Sequence, residues 1–196
     1  MWNERYSAPG YAYGTEPNDF LAGSAAQIPR GRVLSLGDGE GRNGVFLATL
    51  GQAVTSVDAS PVGLAKAHAL AETRGVVIET ITADLAEFVI TPDAWEGIVS
   101  IFCHLPPSLR QRVHAQVVRG LVPGGVFVLE AYTPAQLALG TGGPSDPQMM
   151  PTLALLRDEL AGLEMLHAVE TERPVREGVF HDGRSAVVQV VARRPR

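Results

Sequence analysis

The chain has 196 residues, of which 45% are hydrophobic and 19% are charged, which is the composition of one globular domain with a sizeable core. A formal net charge of −5 and a single lysine, Lys66, argue against a nucleic-acid partner, because no basic run is long enough to follow a phosphate backbone. The single cysteine, Cys103, excludes an internal disulfide, and the absence of signal-type and membrane-length apolar stretches predicts a soluble cytoplasmic protein.

Short apolar runs bounded by turn residues predict seven β-strands, and helical spacing predicts helices between most of them. The strands are expected at 33–36, 53–57, 76–82, 97–102, 125–131, 165–171 and 186–192. The helices are expected at 18–26, 44–50, 61–74, 108–121 and 152–161, with a short one after Asp84. Ser60 has the side chain of an N-cap and Pro61 suits the first helical position.

This alternation predicts an α/β fold with a mostly parallel sheet, whose first five strands are covered on both faces. The last two strands, joined by a turn at 181–183, predict a C-terminal antiparallel hairpin. Residues 1–196 are expected to form a single domain. Its first 28 residues carry four aromatic side chains, Trp2, Tyr6, Tyr11 and Tyr13, and are expected to form a lid or an extra helix.

The glycine-rich stretch LGDGEGRN, residues 36–43, follows the first strand. Residues 39–44 satisfy the pattern G-x-G-x-x-G, and Asp58 lies 19 positions after Gly39, so an NAD(P)-dependent oxidoreductase is one interpretation. Asp38 and Glu40 oppose it. At about 4 Å and an effective dielectric near 20, each carboxylate would repel a phosphate charge by on the order of 4 kcal/mol. A cationic ligand would be attracted instead.

Four segments in order along the chain resemble the motifs of class I S-adenosylmethionine-dependent methyltransferases, particularly the tellurite-resistance-type branch. They are VLSLGDGEGRNGVFLA, the pair Val57-Asp58, the triplet Ala83-Asp84-Leu85, and LVPGG at 121–125. The N-terminal WNERYSAPGYAYGTEPNDFL is also similar to this branch, in which a Tyr-Gly segment closes over the cofactor. The resemblance implies a Rossmann-like sheet of strand order 3-2-1-4-5-7-6 and S-adenosylmethionine as cofactor.

The resemblance also implies which residues contact the cofactor. Asp58 would accept the ribose hydroxyls, and Asp84 would meet the adenine edge. Ser35 departs from the family, in which an acid helps to hold the methionine ammonium, so Asp38 or Glu40 is expected to take that role. The full set of expected contacts is Tyr13, Gly37, Asp38, Gly39, Glu40, Gly41, Asp58, Ala59, Asp84 and Leu85.

A catalytic group is harder to predict, because methyl transfer from a sulfonium needs mainly positioning and desolvation. His104, at the mouth of the fourth strand, is the candidate base or acceptor contact; the alternative is a loop histidine bonded to backbone. Cys103 is interpreted as a packing residue. The five histidines show no paired spacing, so no metal site is predicted.

The sequence therefore predicts transfer of a methyl group from S-adenosylmethionine to a small-molecule acceptor, with release of S-adenosylhomocysteine. Two alternatives remain open at this point: the NAD(P)-dependent oxidoreductase and a protein that binds S-adenosylmethionine without catalysis. Neither the acceptor nor the oligomeric state follows from the sequence.

Overall fold

The computed structural model describes residues 2–178 and 180–196. Its strands, numbered in chain order, are β1 (Arg32–Leu36), β2 (Ala53–Asp58), β3 (Glu79–Thr82), β4 (Trp95–Ile101), β5 (Leu121–Tyr132), β6 (Glu164–Glu177) and β7 (His181–Arg193). They form one sheet of order β3-β2-β1-β4-β5-β7-β6. The first five strands pair in parallel, whereas β7 is antiparallel to both β5 and β6. The predicted fold class and strand order are thus confirmed.

The helices are α1 (Trp2–Tyr6), α2 (Asp19–Ser24), α3 (Arg42–Thr49), α4 (Pro61–Thr73), α5 (Pro107–Gly120) and α6 (Leu153–Glu159). Short 3-10 turns lie at Ala25–Gln27, Pro134–Ala138 and Pro147–Met149. The predicted cap of α4 is present, since the Ser60 hydroxyl accepts a hydrogen bond of 3.1 Å from the Gly63 amide. Among the described residues, none of the helices has the length and apolar character needed to cross a membrane.

Alternating residues of the central strands build the core on the two faces of the sheet. Leu34, Ile98 and Phe127 pack on one face with α5 and α6. Their strand neighbours Val33 and Val99 pack on the other face with α2, α3 and α4. Each of these side chains is fully buried, which stabilises the fold by about 1.5–3 kcal/mol per residue. Both faces of β1, β2, β4 and β5 are therefore covered, as their continuous apolar runs predicted, whereas the edge strand β3 has no buried residue and the prediction is wrong there.

Two predicted local features are wrong. The segment after Asp84 forms a turn rather than a short helix, because the Asp84 carboxylate accepts from the Ala86 amide and closes the chain there. The predicted hairpin turn at 181–183 is part of β7, and the chain reverses between Glu177 and His181 instead. This part of the hairpin is mostly polar, so its strands lack the apolar alternation on which the prediction relied.

The β6–β7 hairpin is longer than the predicted one and extends past the end of its neighbour β5. The last residue of β5, Tyr132, pairs with Val187, whereas β6 and β7 stay paired up to Glu177 and His181. The tip of the hairpin therefore extends past the carboxyl end of β5, toward the edge at which the parallel strands end.

A buried polar network ties this hairpin to β5 and to the N-terminal segment. Glu130 of β5 is fully buried and accepts hydrogen bonds from Arg173 (2.8 Å), Gln189 (2.7 Å) and Asn18 (2.6 Å). Asn18 also caps α2 through the Leu21 amide. A buried carboxylate is tolerated only when it is paired and hydrogen-bonded, as this one is.

We expect Glu130→Ala to lower the free energy of unfolding by about 3–5 kcal/mol, because it leaves the partly buried guanidinium of Arg173 without its main partner and empties a fully buried site. The exposed pair between Arg193 and Glu164 offers a matched control, for which Glu164→Ala should cost at most about 1 kcal/mol. Urea denaturation of both variants measures the difference. Equal losses in the two variants would contradict the structural role of the network.

Candidate functional site

The strand order reverses between β1 and β4, and in open α/β sheets ligands bind at such a point. The glycine turn lies there, between β1 and α3, with left-handed backbone at Gly37 (φ 61°), Gly39 (φ 58°) and Gly41 (φ 86°). A side chain at Gly39 would come within 2.6 Å of the Tyr6 hydroxyl, so only glycine fits under the N-terminal helix. Tyr6 itself is buried against this turn.

Most backbone N–H groups of the turn already donate to protein acceptors. The acceptors are the Val57 carbonyl (from Gly37 and Asp38), the Asp58 carboxylate (from Gly39), the Asp38 carbonyl (from Gly41) and the Asp38 carboxylate (from Gly44). A phosphate-binding nest needs such N–H groups free to point at the anion. The turn therefore suits a ligand that presents no phosphate to it.

Asp38 points into the protein. Its carboxylate accepts hydrogen bonds from the Ser35 hydroxyl (2.7 Å), the Ser56 hydroxyl (2.6 Å) and the Gly44 amide (3.1 Å). These three donors belong to β1, β2 and the start of α3, so Asp38 fixes the turn to all three elements. Ser35, which departs from the family at this position, is one of these donors and thereby fixes the position of Asp38.

Glu40 is also bound within the protein. Its two oxygens accept from the Ala12 amide (2.7 Å) and from the Lys66 ammonium (2.9 Å), and Lys66 donates further to the carbonyls of Ala8 and Gly10. Residues 8–14, here called the N-terminal strap, are thereby held across the glycine turn. Sequence reasoning did not anticipate this role of the only lysine in the chain.

The two acids are therefore not lined up toward the crevice as the sequence argument assumed. Their roles as contacts to the methionine ammonium stay predictions. The signals that could have revealed the observed arrangement were two serines, Ser35 and Ser56, on adjacent buried strands, and a lysine one turn into the helix that faces Glu40.

Asp58, at the end of β2, accepts the Gly39 amide (2.9 Å) on one carboxylate oxygen and the Ser60 amide (2.8 Å) on the other. Burial raises the pKa of Asp58, and these two N–H groups counter part of the rise. Each oxygen keeps a lone pair for a further donor. A carboxylate in this position can accept two neighbouring hydroxyl groups.

An open cleft lies beside Asp58, along the ends of β2 and β3. Its lining residues are Ala59, Thr82, Ala83, Asp84, Glu87, Phe88 and Val89. Two predicted contacts, Ala59 and Asp84, are thus brought together with Asp58. Leu85 is not in the lining, since its side chain is buried in the core on one face of the sheet.

His104 lies after β4, as predicted, but both ring nitrogens are engaged by backbone. Nδ1 is 3.1 Å from the Phe102 carbonyl, and Nε2 is 3.0 Å from the Tyr132 amide, from which it accepts. This pairing requires a neutral ring with its proton on Nδ1. Burial lowers the pKa of His104 to about 3, which keeps the ring neutral. A role in catalysis stays a prediction, and this geometry leaves it no free nitrogen.

An aromatic cluster fills the space between the strap and the end of β4. We call Tyr13, Phe102, Tyr132 and His181 the aromatic box; the ring of Phe102 lies 4.5 Å from that of Tyr132 and 4.8 Å from that of His181. Phe102 has a φ of 52°, a strained backbone for a non-glycine residue, and such strain is concentrated at functional sites. Tyr13 is therefore part of this box rather than of the open cleft.

Neither a reactive cysteine nor a metal site is found among the described residues. The Cys103 thiol is buried beside Gly37, and burial raises its pKa to about 12, so it stays protonated. Within residues 2–178 and 180–196, no group of three or more His, Cys, Asp or Glu side chains is placed to hold a metal ion.

Comparison with known proteins points in one direction. Residues 33–125 match the family model described as "methyltransferase domain". A 2-heptyl-1-hydroxyquinolin-4(1H)-one methyltransferase from Mycobacteroides abscessus is 27% identical over 125 residues, which cover 61% of this chain and 55% of that protein. The chain thus spans little more than half the length of that curated relative.

Solved structures show the same fold at low identity. TehB from Haemophilus influenzae has a TM-score of 0.75 with 19% identity, covering 98% of this chain and 65% of TehB. A SAM-dependent methyltransferase from Methanosarcina mazei has a TM-score of 0.67 with 16% identity, covering 92% and 99%. Together these matches confirm the predicted resemblance to class I S-adenosylmethionine-dependent methyltransferases, and the solved structures share the fold of this chain.

The buried ring of His104 makes stability depend on pH. In the unfolded chain the ring binds a proton near its ordinary pKa of 6.5, but in the folded protein only near 3. Between these values the unfolded state binds more protons, so stability falls as pH falls, by about 1.4 kcal/mol per pH unit for this proton. Urea denaturation between about pH 4 and 6.5 should show a shallower slope for His104→Gln, by about one proton. An unchanged slope would contradict the buried neutral ring.

Lys66→Met should release the strap, because it removes three donated hydrogen bonds at once. We expect amide hydrogen exchange at Ala12 to become at least about tenfold faster, since local opening then costs less free energy. Arg74→Met, which breaks the exposed pair with Glu16, is the matched control and should leave Ala12 unchanged. Unaltered exchange in Lys66→Met would show that the strap is held by other contacts.

Proposed function

We propose that this protein transfers a methyl group from S-adenosylmethionine to a small-molecule acceptor and releases S-adenosylhomocysteine. The observation that carries the proposal is the position of Asp58, whose carboxylate lies between an open cleft and a glycine turn most of whose amides donate to protein acceptors. Such a site offers acceptors for ribose hydroxyls and space for a base, but few donors for a pyrophosphate. The match of residues 33–125 to a methyltransferase domain supports it.

The cofactor would lie along the carboxyl edge of the sheet. Asp58 would accept the ribose hydroxyls, and the cleft with Ala59 and Asp84 would hold the adenine ring. The close approach of the ligand to Gly37 and Gly39 needs residues without side chains there. Its sulfonium end would then face the aromatic box, whose ring faces attract a cation. When bound, S-adenosylmethionine supplies an electrophilic methyl group on sulfur.

Residues 1–28 would act as a lid within a single domain. The strap crosses the glycine turn, and Tyr6 lies directly on it, so both cover the edge at which the cofactor would bind. Closing the lid would exclude water from the sulfonium and position the acceptor, which can supply much of the rate of such a displacement. We place the protein in the cytoplasm, and its acidic net charge favours a small acceptor over nucleic acid.

The structure bears on the NAD(P)-dependent oxidoreductase, but it does not separate an enzyme from a protein that binds S-adenosylmethionine without catalysis. The amides of Gly37, Asp38 and Gly39 already donate to protein acceptors, which leaves fewer turn amides for the pyrophosphate of a dinucleotide. This disfavours the oxidoreductase more directly than the charges of the turn did. A protein that only binds S-adenosylmethionine would share every feature of this edge, so turnover alone separates it from an enzyme. The curated relative, named for a hydroxyquinolinone, supports a small acceptor with a reactive heteroatom.

We expect Asp58→Ala to weaken S-adenosylmethionine binding roughly 100-fold, because two charge-assisted hydrogen bonds to the ribose are lost, together worth about 3 kcal/mol. Calorimetric titration of the folded variant measures the dissociation constant. Asp19→Ala, at an exposed acid in the first turn of α2, is the control and should bind as the wild type does. An unchanged dissociation constant in Asp58→Ala would move the ribose contact elsewhere and overturn the cofactor assignment made above.

A further inference from the structure

The tip of the β6–β7 hairpin brings a second histidine next to Phe102, which follows β4. His181, the first residue of β7, pairs with Glu177, the last residue of β6. Its ring centroid lies 4.7 Å from that of Tyr13 in the strap and 4.8 Å from that of Phe102 after β4. Gly178, with a φ of 69°, lets the tip contact the strap, because a side chain there would approach the Tyr13 Cα within 2.5 Å. His181 therefore lies between the lid and the end of β4.

The two nitrogens of His181 differ from those of His104. Nδ1 is buried without a hydrogen-bond partner, and the nearest carboxylate oxygen, Glu177 Oε2, lies 3.7 Å away. Nε2 makes no hydrogen bond to any described residue. Since a carboxylate only accepts hydrogen bonds, Glu177 favours the tautomer with the proton on Nδ1. The lone pair then lies on Nε2, the nitrogen that no protein group occupies.

Glu177 is held as an anion in this position. Its Oε2 accepts from Arg42 Nη2 at 2.6 Å, and its Oε1 accepts from Asn18 at 2.8 Å. Burial alone would raise the pKa of Glu177, but His181, Arg42 and Asn18 lower it to about 2. An ionised carboxylate beside an imidazole stabilises the imidazolium that forms when the ring takes up a proton.

His181 is neutral at physiological pH. Burial lowers its pKa, and the Glu177 carboxylate counters part of that effect. The titratable and charged groups that face the ring from the elements packed around it are Arg5 of α1, Tyr13 of the strap, Arg42 of α3, His104 after β4, Tyr132 of β5 and Glu177 of β6. A neutral imidazole whose Nδ1 lies 3.7 Å from an ionised carboxylate and whose Nε2 bonds to no described residue can act as a general base.

We propose that His181 accepts the proton of the methyl acceptor and that Glu177 is the positioning residue that orients it. This inference rests on the proposed methyltransferase function. It also assigns a class of acceptor: a small aromatic molecule with a weakly acidic hydroxyl or thiol group. The rings of Tyr13, Phe102 and Tyr132 offer flat apolar contacts to such a molecule. An acceptor that is already an anion would need no base.

Methyl transfer and proton transfer take place together in the proposed step. The acceptor heteroatom forms a bond to the transferred methyl carbon, while the carbon–sulfur bond breaks and its electron pair stays on sulfur. The proton of the acceptor passes to His181 Nε2, and the positive charge lost by sulfur appears on the imidazole. Glu177 then stabilises the imidazolium, and solvent removes the proton.

The tautomer of His181 is the first test, and it needs no acceptor. We expect nitrogen-15 NMR of the full-length protein to show a neutral ring with its proton on Nδ1, and Glu177→Gln to lower the pKa of His181 and mix the two tautomers. Peaks are assigned with His181→Gln. A wild-type ring with its proton on Nε2 would carry its lone pair on the buried Nδ1 beside Glu177, and would overturn the proposal.

Turnover of two probes tests the proton transfer itself. At about pH 7.5 4-fluorophenol is neutral, whereas pentafluorophenol is an anion, and the two are similar in shape. We expect His181→Gln to lower kcat for 4-fluorophenol at least about 100-fold and to change kcat for pentafluorophenol less than about threefold. His167→Gln, whose ring lies beside Phe20 away from the crevice, is the matched histidine control. Equal losses with both phenols would indicate a structural role and overturn the proposal.

Failure of this inference is distinguishable from failure of the proposed function. Calorimetry with S-adenosylmethionine is run first on the wild type, so that the cofactor site is tested separately from the role of His181. Absence of binding to the wild type would contradict the methyltransferase function. Binding without methylation of either phenol would contradict the acceptor class assigned here, while the cofactor site would stand.

Discussion

The interaction on which the whole site depends is the set of hydrogen bonds to the Asp38 carboxylate. Hydroxyl groups from β1 and β2 and the Gly44 amide at the start of α3 converge on it, so the glycine turn is fixed to three elements at once. Its left-handed glycines then bring the Gly39 amide to Asp58, and this fixes the carboxylate that we propose binds the ribose. A buried carboxylate with three donors is stable where an unpaired one would be costly.

Ion pairs hold two further segments, the N-terminal strap and the β6–β7 hairpin, against the glycine turn and the sheet. Glu40 and Lys66 hold the strap across the turn, and Glu130 and Glu177 hold the hairpin through Arg173 and Arg42. Asn18 bonds to both of these carboxylates and so joins the strap side to the hairpin side. The strap and the hairpin tip therefore meet over the end of β4 as one cover, and the aromatic box forms where they meet.

The sheet and its candidate ligand-binding edge could be predicted because their signals are local. Apolar runs gave the strands, the glycine turn followed the first of them, and four motifs in order implied the strand order. The orientation of Asp38 and Glu40 could not be predicted, because their partners lie up to 28 residues away in sequence and become neighbours only in the fold. The pairing of Glu177 with His181 could not be predicted either, because the ends of β6 and β7 are polar and resemble a loop in sequence. His104 was predicted to lie at the mouth of β4, but its two backbone partners depend on the path of β5.

The cofactor is best identified by titration calorimetry of the wild-type protein with S-adenosylmethionine, S-adenosylhomocysteine and NAD, carried out in parallel. We expect both adenosyl ligands to bind with dissociation constants of about 1–100 μM and NAD not to bind. Binding of NAD without either adenosyl ligand would contradict the cofactor assignment, because most amides of the glycine turn donate to protein acceptors.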